Sequence, residues 1–313
     1  MPPSLKAHYL RNDQIELAVL PEYGCYWNTL RICLRGKWAN LLEPIPDEKP
    51  PFKFGSYMMA PWSNRIVQGA FEFEGKRYQL RKNFPDETAI HGDVRSRPWA
   101  IQVARDTKFE ATLDSRQFPD FNYPFALKFK HTLELSENHL SVALFIENVD
   151  RTNVPVGLGF HPFFKRHLGP EDKDVMVLLP ADRVYPDEKC IPTGPAEPVF
   201  GVTDLRYRRF LGNPNLDHCF TALTGNLIRL IYPGSQVEVH YQIDSIFTHV
   251  VIYAPRDYEG KAKDFVAVEP VTHVNNGFNL YAKGWQGTGI KILKPGEFWG
   301  GTCKLSIVDL YRL

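Results

Sequence analysis

The chain has 313 residues, 43% of them hydrophobic and 13% aromatic, which is enough apolar side chain for one large core. With 37 basic and 36 acidic residues the net charge is +1, so no charge excess argues for nucleic acid or an anionic membrane as partner. Five cysteines at 25, 33, 190, 219 and 303 include no CxxC pair, which disfavours a disulfide framework or a zinc ribbon and points to a reducing, cytoplasmic compartment.

The start, "MPPSLKAHYLRNDQIEL", lacks the apolar run of a signal peptide, and no later run reaches the length of a membrane span. Residues 42–52, "LEPIPDEKPPF", read as a long surface loop. "FEFEGKRYQL" (71–80) sets Phe71 and Phe73 on one face, turns at Glu74-Gly75 and continues with Tyr78 and Leu80, the pattern of a hairpin. In 126–148, Leu127, Phe129, His131, Leu133 and Leu135 alternate before a polar turn, then Leu140, Val142, Leu144 and Ile146 alternate again. "RYRR" (206–209) reads as a solvated basic face. A further hairpin is expected over 226–243 around Pro-Gly-Ser. "THVVIYAP" (248–255) and "DFVAVEP" (264–270) read as buried strands ending at prolines, and 303–313 as a closing strand.

No long 3.6-residue period occurs, so helices should be few and short. There is no internal repeat and no linker with a sharp change of composition. The expectation is an all-β chain, a single domain over 1–313 built from antiparallel strands in two stacked sheets.

Several polar residues stand where β packing does not ask for them. Asn64 and Arg65 precede a strand. His91 is followed at once by Gly92. His161 lies in "GFHPFF" and Asp217 in "NLDHCF". Glu269 closes the apolar run "FVAVE" before Pro270. A carboxylate there is costly to desolvate unless it is bonded or used, and burial would lift its pKa toward the range of a general base. Each has an ordinary structural reading too: a turn cap, a plain turn, a core histidine on a carbonyl, an exposed strand end. Their order along the chain makes a stronger case than any one of them.

Taken together, "NRI..G.F.F.G..Y.L" (64–80), "HG" (91–92), "HPFF" (161–164), "LDHCF" (216–220), "VEP" with "THVNNGFN" (268–279) and "KPGE" (294–297) resemble the aldose 1-epimerases, or galactose mutarotases. The resemblance runs from about residue 60 to the C-terminus. It implies a β-supersandwich, no cofactor and no metal, with a small-molecule sugar as partner; nothing in the sequence selects an oligomeric state. It also implies roles: Glu269 as general base, His161 as the acid that protonates the ring oxygen, His91 as a second histidine beside the sugar, and Asn64, Arg65 and Asp217 as residues holding hydroxyls. Phe163 and Phe164 are candidates for the pocket wall. "HPFFKR" departs from relatives that carry tyrosine and asparagine after the histidine step. Arg95 and Arg97, in "HGDVRSRPW", leave open an epimerase of a phosphorylated or sulfonated hexose. A non-catalytic carbohydrate-binding protein of the same fold, and a lyase or glycosidase, are the rival classes; a binder would not need both Glu269 and His161, and a glycosidase would need a second carboxylate partner for Glu269.

Overall fold

In a computed structural model, which describes residues 6–45 and 54–312, the chain is built almost wholly from antiparallel strands. One eight-stranded sheet contains the long hairpin Leu127–Ser136 and His139–Asn148, joined in order by Phe298–Asp309, Val237–Ile243 and Leu227–Tyr232. A second eight-stranded sheet runs through Leu216–Leu223, His249–Ala254 and Phe265–Val271 to the short strands Gly159–Phe160 and Met58–Met59, and Phe163–Lys165 pairs with Phe265–Val271 at its side. A four-stranded sheet, His8–Arg11 to Lys37–Asn40, opens the chain. Among the described residues one α-helix occurs, the six residues Gly277–Ala282, and no helix is long and apolar enough to cross a membrane. The antiparallel all-β chain expected from the strand periods, and the supersandwich that the resemblance implied, are what form.

The expected hairpins form with their expected faces. Glu74 and Gly75 both take positive φ (49° and 72°), as a two-residue turn matched to strand twist requires. Leu127, Phe129, His131, Leu133 and Leu135 are all buried, while their neighbours are half-buried or exposed. The described part of the proline-rich 42–52 segment is residues 42–45, where Leu42 is buried and bridges to Phe164; the remainder lies outside the described residues. The closing strand starts earlier than read, at Phe298, and ends at Asp309. The "RYRR" arginines are solvated but tied: Arg206 to Asp182 and Asp204, Arg208 to Glu238, and Arg209 to carbonyls of 201, 202 and 204.

The strand Phe265–Val271 decides where chemistry can occur. Its registered partners place Cys219, Val251 and Glu269 in one row across three strands, and Asp217, Tyr253 and Ala267 in the next. Side chains alternate between faces, so Asp217, Tyr253 and Glu269 share one side. Phe220, Val250, Ile252, Val266 and Val268 take the other and join the large core shared with the first sheet, where Phe164 meets Tyr241 with ring centroids 6.0 Å apart. A smaller apolar cluster with Phe163, Cys219, Val251, Phe265 and Ala267 floors the polar side.

Candidate active site

Glu269 is 2% exposed, and its Oε1 lies 3.1 Å from His161 Nε2. It does not end its strand, contrary to the sequence reading. The strand continues through Pro270 to Val271, all of it buried. Pro270 is tolerated because a proline removes only the amide donor and leaves the extended backbone intact. Glu269 is therefore desolvated by the sheet on both flanks, more completely than a strand end would be. Burial first, then the Asp217 charge, pushes its pKa well above the ordinary carboxylate value, with Arg65 opposing.

His161 packs against two rings that also touch each other: Tyr57 at 4.6 Å between centroids and Phe163 at 4.5 Å, with Tyr57 and Phe163 6.3 Å apart. Its backbone N–H donates to the Tyr57 carbonyl at 2.9 Å, so residues 55–58 supply both the ring and the anchor. Burial, then the Arg95 charge, lowers the imidazole pKa to about 3. Phe163 thus forms wall, as expected. Phe164 does not: the period-2 alternation turns it into the core, fully buried against Tyr241.

His91 stands edge-on to His161, centroids 5.2 Å apart at 89°, and also against Tyr57. Burial, then Arg95, lowers its pKa well below the ordinary histidine value. It has φ +62°, and Gly92 after it has φ +69°. A Cβ on Gly92 would stand 1.9 Å from the Ala60 carbonyl oxygen, so only glycine lets this chain pass close enough to present the ring. Asn64 accepts the His91 N–H at its carbonyl (2.9 Å), while its Oδ1 accepts from the Arg65 backbone and guanidinium. Arg65 is fixed by Asp86 (Nε to Oδ2, 2.7 Å), and its charge also acts on Asp217. Asp217 accepts the Cys190 S–H at 2.9 Å. Burial raises its pKa; the thiol and Arg65 pull the other way.

All six sequence candidates, Asn64, Arg65, His91, His161, Asp217 and Glu269, therefore converge. Of the two extra arginines, Arg95 does so too, with its guanidinium 5.0 Å from the Tyr57 ring centroid. Arg97 does not; it is bound by Asp93 and Asp120, both at 2.7 Å. The sequence reading missed Tyr57, Cys190, Tyr253, His273 and Asn275. No local pattern marks Tyr57, Cys190 or Tyr253, whereas His273 and Asn275 lie in the quoted "THVNNGFN" motif and were assigned no role there. His273 accepts the Ser63 N–H (2.9 Å) and so sets the loop carrying Asn64. Asn275 donates to the Cys190 carbonyl (2.9 Å).

Several buried polar atoms have no partner among the described residues: Glu269 Oε2, His161 Nδ1, His91 Nδ1 and Asn275 Oδ1. Orphaned polar groups are costly, and their concentration beside an acid–base pair marks a place built for a polar ligand. A carboxyl and an imidazole 3.1 Å apart can take a proton from one hydroxyl and give one to another oxygen.

The family profile of the aldose 1-epimerases matches residues 6–306. The chain belongs to the aldose 1-epimerase family. It is similar to the Escherichia coli K12 protein YihR, 29% identical over 247 residues that make up 77% of each chain. Its fold is that of a galactose mutarotase-like protein from Clostridium acetobutylicum (TM-score 0.80, 21% identity, 96% of this chain and 94% of that one) and of a GalM/aldose epimerase homologue from Caenorhabditis elegans (TM-score 0.80, 17% identity, 97% and 99%). In an aldose 1-epimerase family fold, the polar face carrying Asp217 and Glu269 is thus set by strand register and not by any one loop.

Proposed function

We propose that the protein is an aldose 1-epimerase that interconverts the α and β anomers of an aldohexose by opening and reclosing the ring. The observation that carries this reading is the buried Glu269–His161 pair at 3.1 Å, with unpartnered acceptor and donor positions around it. Glu269 takes the proton from O1 of the hemiacetal as His161 gives one to the ring oxygen O5, and the C1–O5 bond breaks to an open aldehyde. Rotation about C1–C2 presents the other carbonyl face. O5 then attacks C1, returns its proton to His161, and O1 regains one from Glu269. The pair ends as it began, and no other group gains or loses a proton.

Before sugar binds, burial favours the uncharged forms, with the proton on Glu269 and His161 neutral. The carboxylate–imidazolium form holds the same single proton. Sugar hydroxyls bonding to the orphaned oxygens and nitrogens supply the solvation that the charged form lacks. Asn64, Arg65, His91 and Asp217 hold the ring hydroxyls so that O1 and O5 meet the pair, and His91 and Arg65 stabilise charge developing on oxygen. The five unpaired cysteines fit a reducing, cytoplasmic setting.

Polarimetry of freshly dissolved α-glucose and α-galactose tests the reading. Acceleration of the drift to equilibrium is expected, and Glu269→Gln should lose about 10²–10⁴-fold or more of it. Full rate in that variant removes Glu269 as the base. A retained rate in His161→Asn moves the acid role to His91.

A further inference from the structure

Cys190 is held at three atoms. Its thiol donates to Asp217 Oδ2, its carbonyl accepts from Asn275 Nδ2, and its N–H donates to Asp187 Oδ1 at 3.1 Å. The residue sits at the tip of the hairpin that pairs Asp187–Glu188 with Ile191–Pro192. Among the described residues those two strands pair only with each other, so neither large sheet fixes the tip through backbone bonds.

Asp187 is the link to the sheet. Its Oδ2 meets Nδ1 of His218, the residue after Asp217 on the strand Leu216–Leu223. The Asp187 side chain is 10% exposed, and among the described residues His218 is the one basic group within 4.0 Å of it. A carboxylate so withdrawn from water is costly without a counter-charge, and an imidazolium supplies one. The His218 side chain is one-third exposed, so it exchanges protons with solvent. The Asp187 hydrogen bond raises its pKa against the pull of burial, and the charges of Asp187 on the hairpin and Asp217 on its own strand add to the rise. The flanking strand sets Ile252 opposite, which carries no charge. Neighbouring strand residues point to opposite faces, so His218 reaches the Asp217 carboxylate by way of the hairpin.

Resting on the epimerase reading, in which Asp217 holds a sugar hydroxyl, we propose that His218 and Asp187 are positioning residues for substrate binding. Protonated His218 clamps Asp187, Asp187 holds the Cys190 backbone, and the thiol stays aimed at Asp217. The neutral ring still donates through Nδ1, but a hydrogen bond weakens when its donor loses charge. The clamp is therefore at full strength below the ordinary histidine value of 6.5 and slackens as pH rises through the raised His218 value. KM should rise with it.

The test is anomer exchange of glucose and galactose by NMR, from about pH 5.5 to about pH 8.5. It compares the wild type, His218→Gln, Cys190→Ala and the double variant. At the acid end His218→Gln should raise KM about two- to fivefold, no more than loss of the thiol itself, with a smaller change in kcat. The gap should narrow toward the alkaline end. In the Cys190→Ala background the same substitution should leave KM alone, because the clamp acts through the thiol. An equal KM effect in both backgrounds overturns the proposal, as does an unchanged KM in His218→Gln or a gap that does not vary with pH. If no sugar's exchange is accelerated, the epimerase reading fails, and the clamp is decided without sugar. The Cys190 N–H should then lose protection from hydrogen exchange about two- to tenfold in His218→Gln at the acid end, and unchanged protection overturns the clamp. If His218→Gln does not fold, Asp187→Asn takes its place under the same outcomes: it keeps an acceptor for the Cys190 N–H and removes the counter-charge.

Discussion

The thiol of Cys190 donates to Asp217 Oδ2 at 2.9 Å, and that contact ties an otherwise separate hairpin to the site. The hairpin pairs Asp187–Glu188 with Ile191–Pro192, and its tip residues Lys189 and Cys190 both have positive φ (50° and 67°). The Cys190 N–H donates to Asp187 Oδ1 (3.1 Å), its carbonyl accepts from Asn275, and Asp187 Oδ2 meets His218 Nδ1 at 2.5 Å. Burial and the nearby Asp217 hold the thiol's pKa well above its ordinary value, so it stays protonated and acts as a donor.

Removing that donor should loosen and further protonate Asp217. Cys190→Ala is expected to raise KM about fivefold, the equivalent of one net hydrogen bond of about 1 kcal/mol, with a smaller effect on kcat. Because the S–H lowers the Asp217 pKa, the KM defect should grow as pH falls. Cys190→Ser should recover most of it. Steady-state kinetics of the three proteins across pH make the comparison.

Glu269 costs the fold stability. Its folded pKa is raised above the ordinary 4.5, so between 4.5 and that raised value the native state holds more protons than the unfolded chain. Stability therefore falls as pH rises through this window. Glu269→Gln removes the titration and should be more stable than wild type at pH 8 by about 1–3 kcal/mol, with the gap closing toward pH 4.5. Urea unfolding at the two pH values measures it; a variant less stable than wild type at pH 8 contradicts the account.

Buried histidines act in the opposite direction. His131 is lowered to about 4, His249 to about 3 and His273 to about 4, in each case first by burial. Below their ordinary value of 6.5 the unfolded chain takes up protons that the native state refuses, so stability is lost as pH falls from 6.5 toward 4. Each such group contributes up to about 1.4 kcal/mol per pH unit. His131→Leu should flatten the pH dependence of unfolding free energy by that slope. The residue lies in the first eight-stranded sheet, whereas Glu269 lies in the second, and an unchanged slope would sink the assignment.

Gly92 separates backbone strain from crowding. Gly92→Ala meets both a left-handed φ of 69° and the Ala60 carbonyl, and should lose on the order of 3 kcal/mol or more along with the placement of His91. Gly36 has φ +79° but open space around it, so Gly36→Ala should cost only about 1–2 kcal/mol. Thermal unfolding of both variants, together with activity for Gly92→Ala, tests the difference.

The strands and their faces were legible along the chain because a period of two in apolar residues is a local property: Leu127 to Leu135 and Leu140 to Ile146 could hardly pack otherwise. The unusual polar residues were legible for the same reason, since Glu269 and His161 interrupt apolar runs. Their convergence was not. Glu269 and His161 meet because two strands register across 108 positions of sequence, and register depends on partners that no local window contains. The same limit hid Tyr57, Cys190 and Tyr253, which are ordinary residues until the sheet brings them to the site. It also left Arg95 and Arg97 indistinguishable two positions apart. Only the tertiary structure gave Arg97 two carboxylates and left Arg95 beside Tyr57 with none among the described residues, because counter-charges are assigned by distance in space and not along the chain.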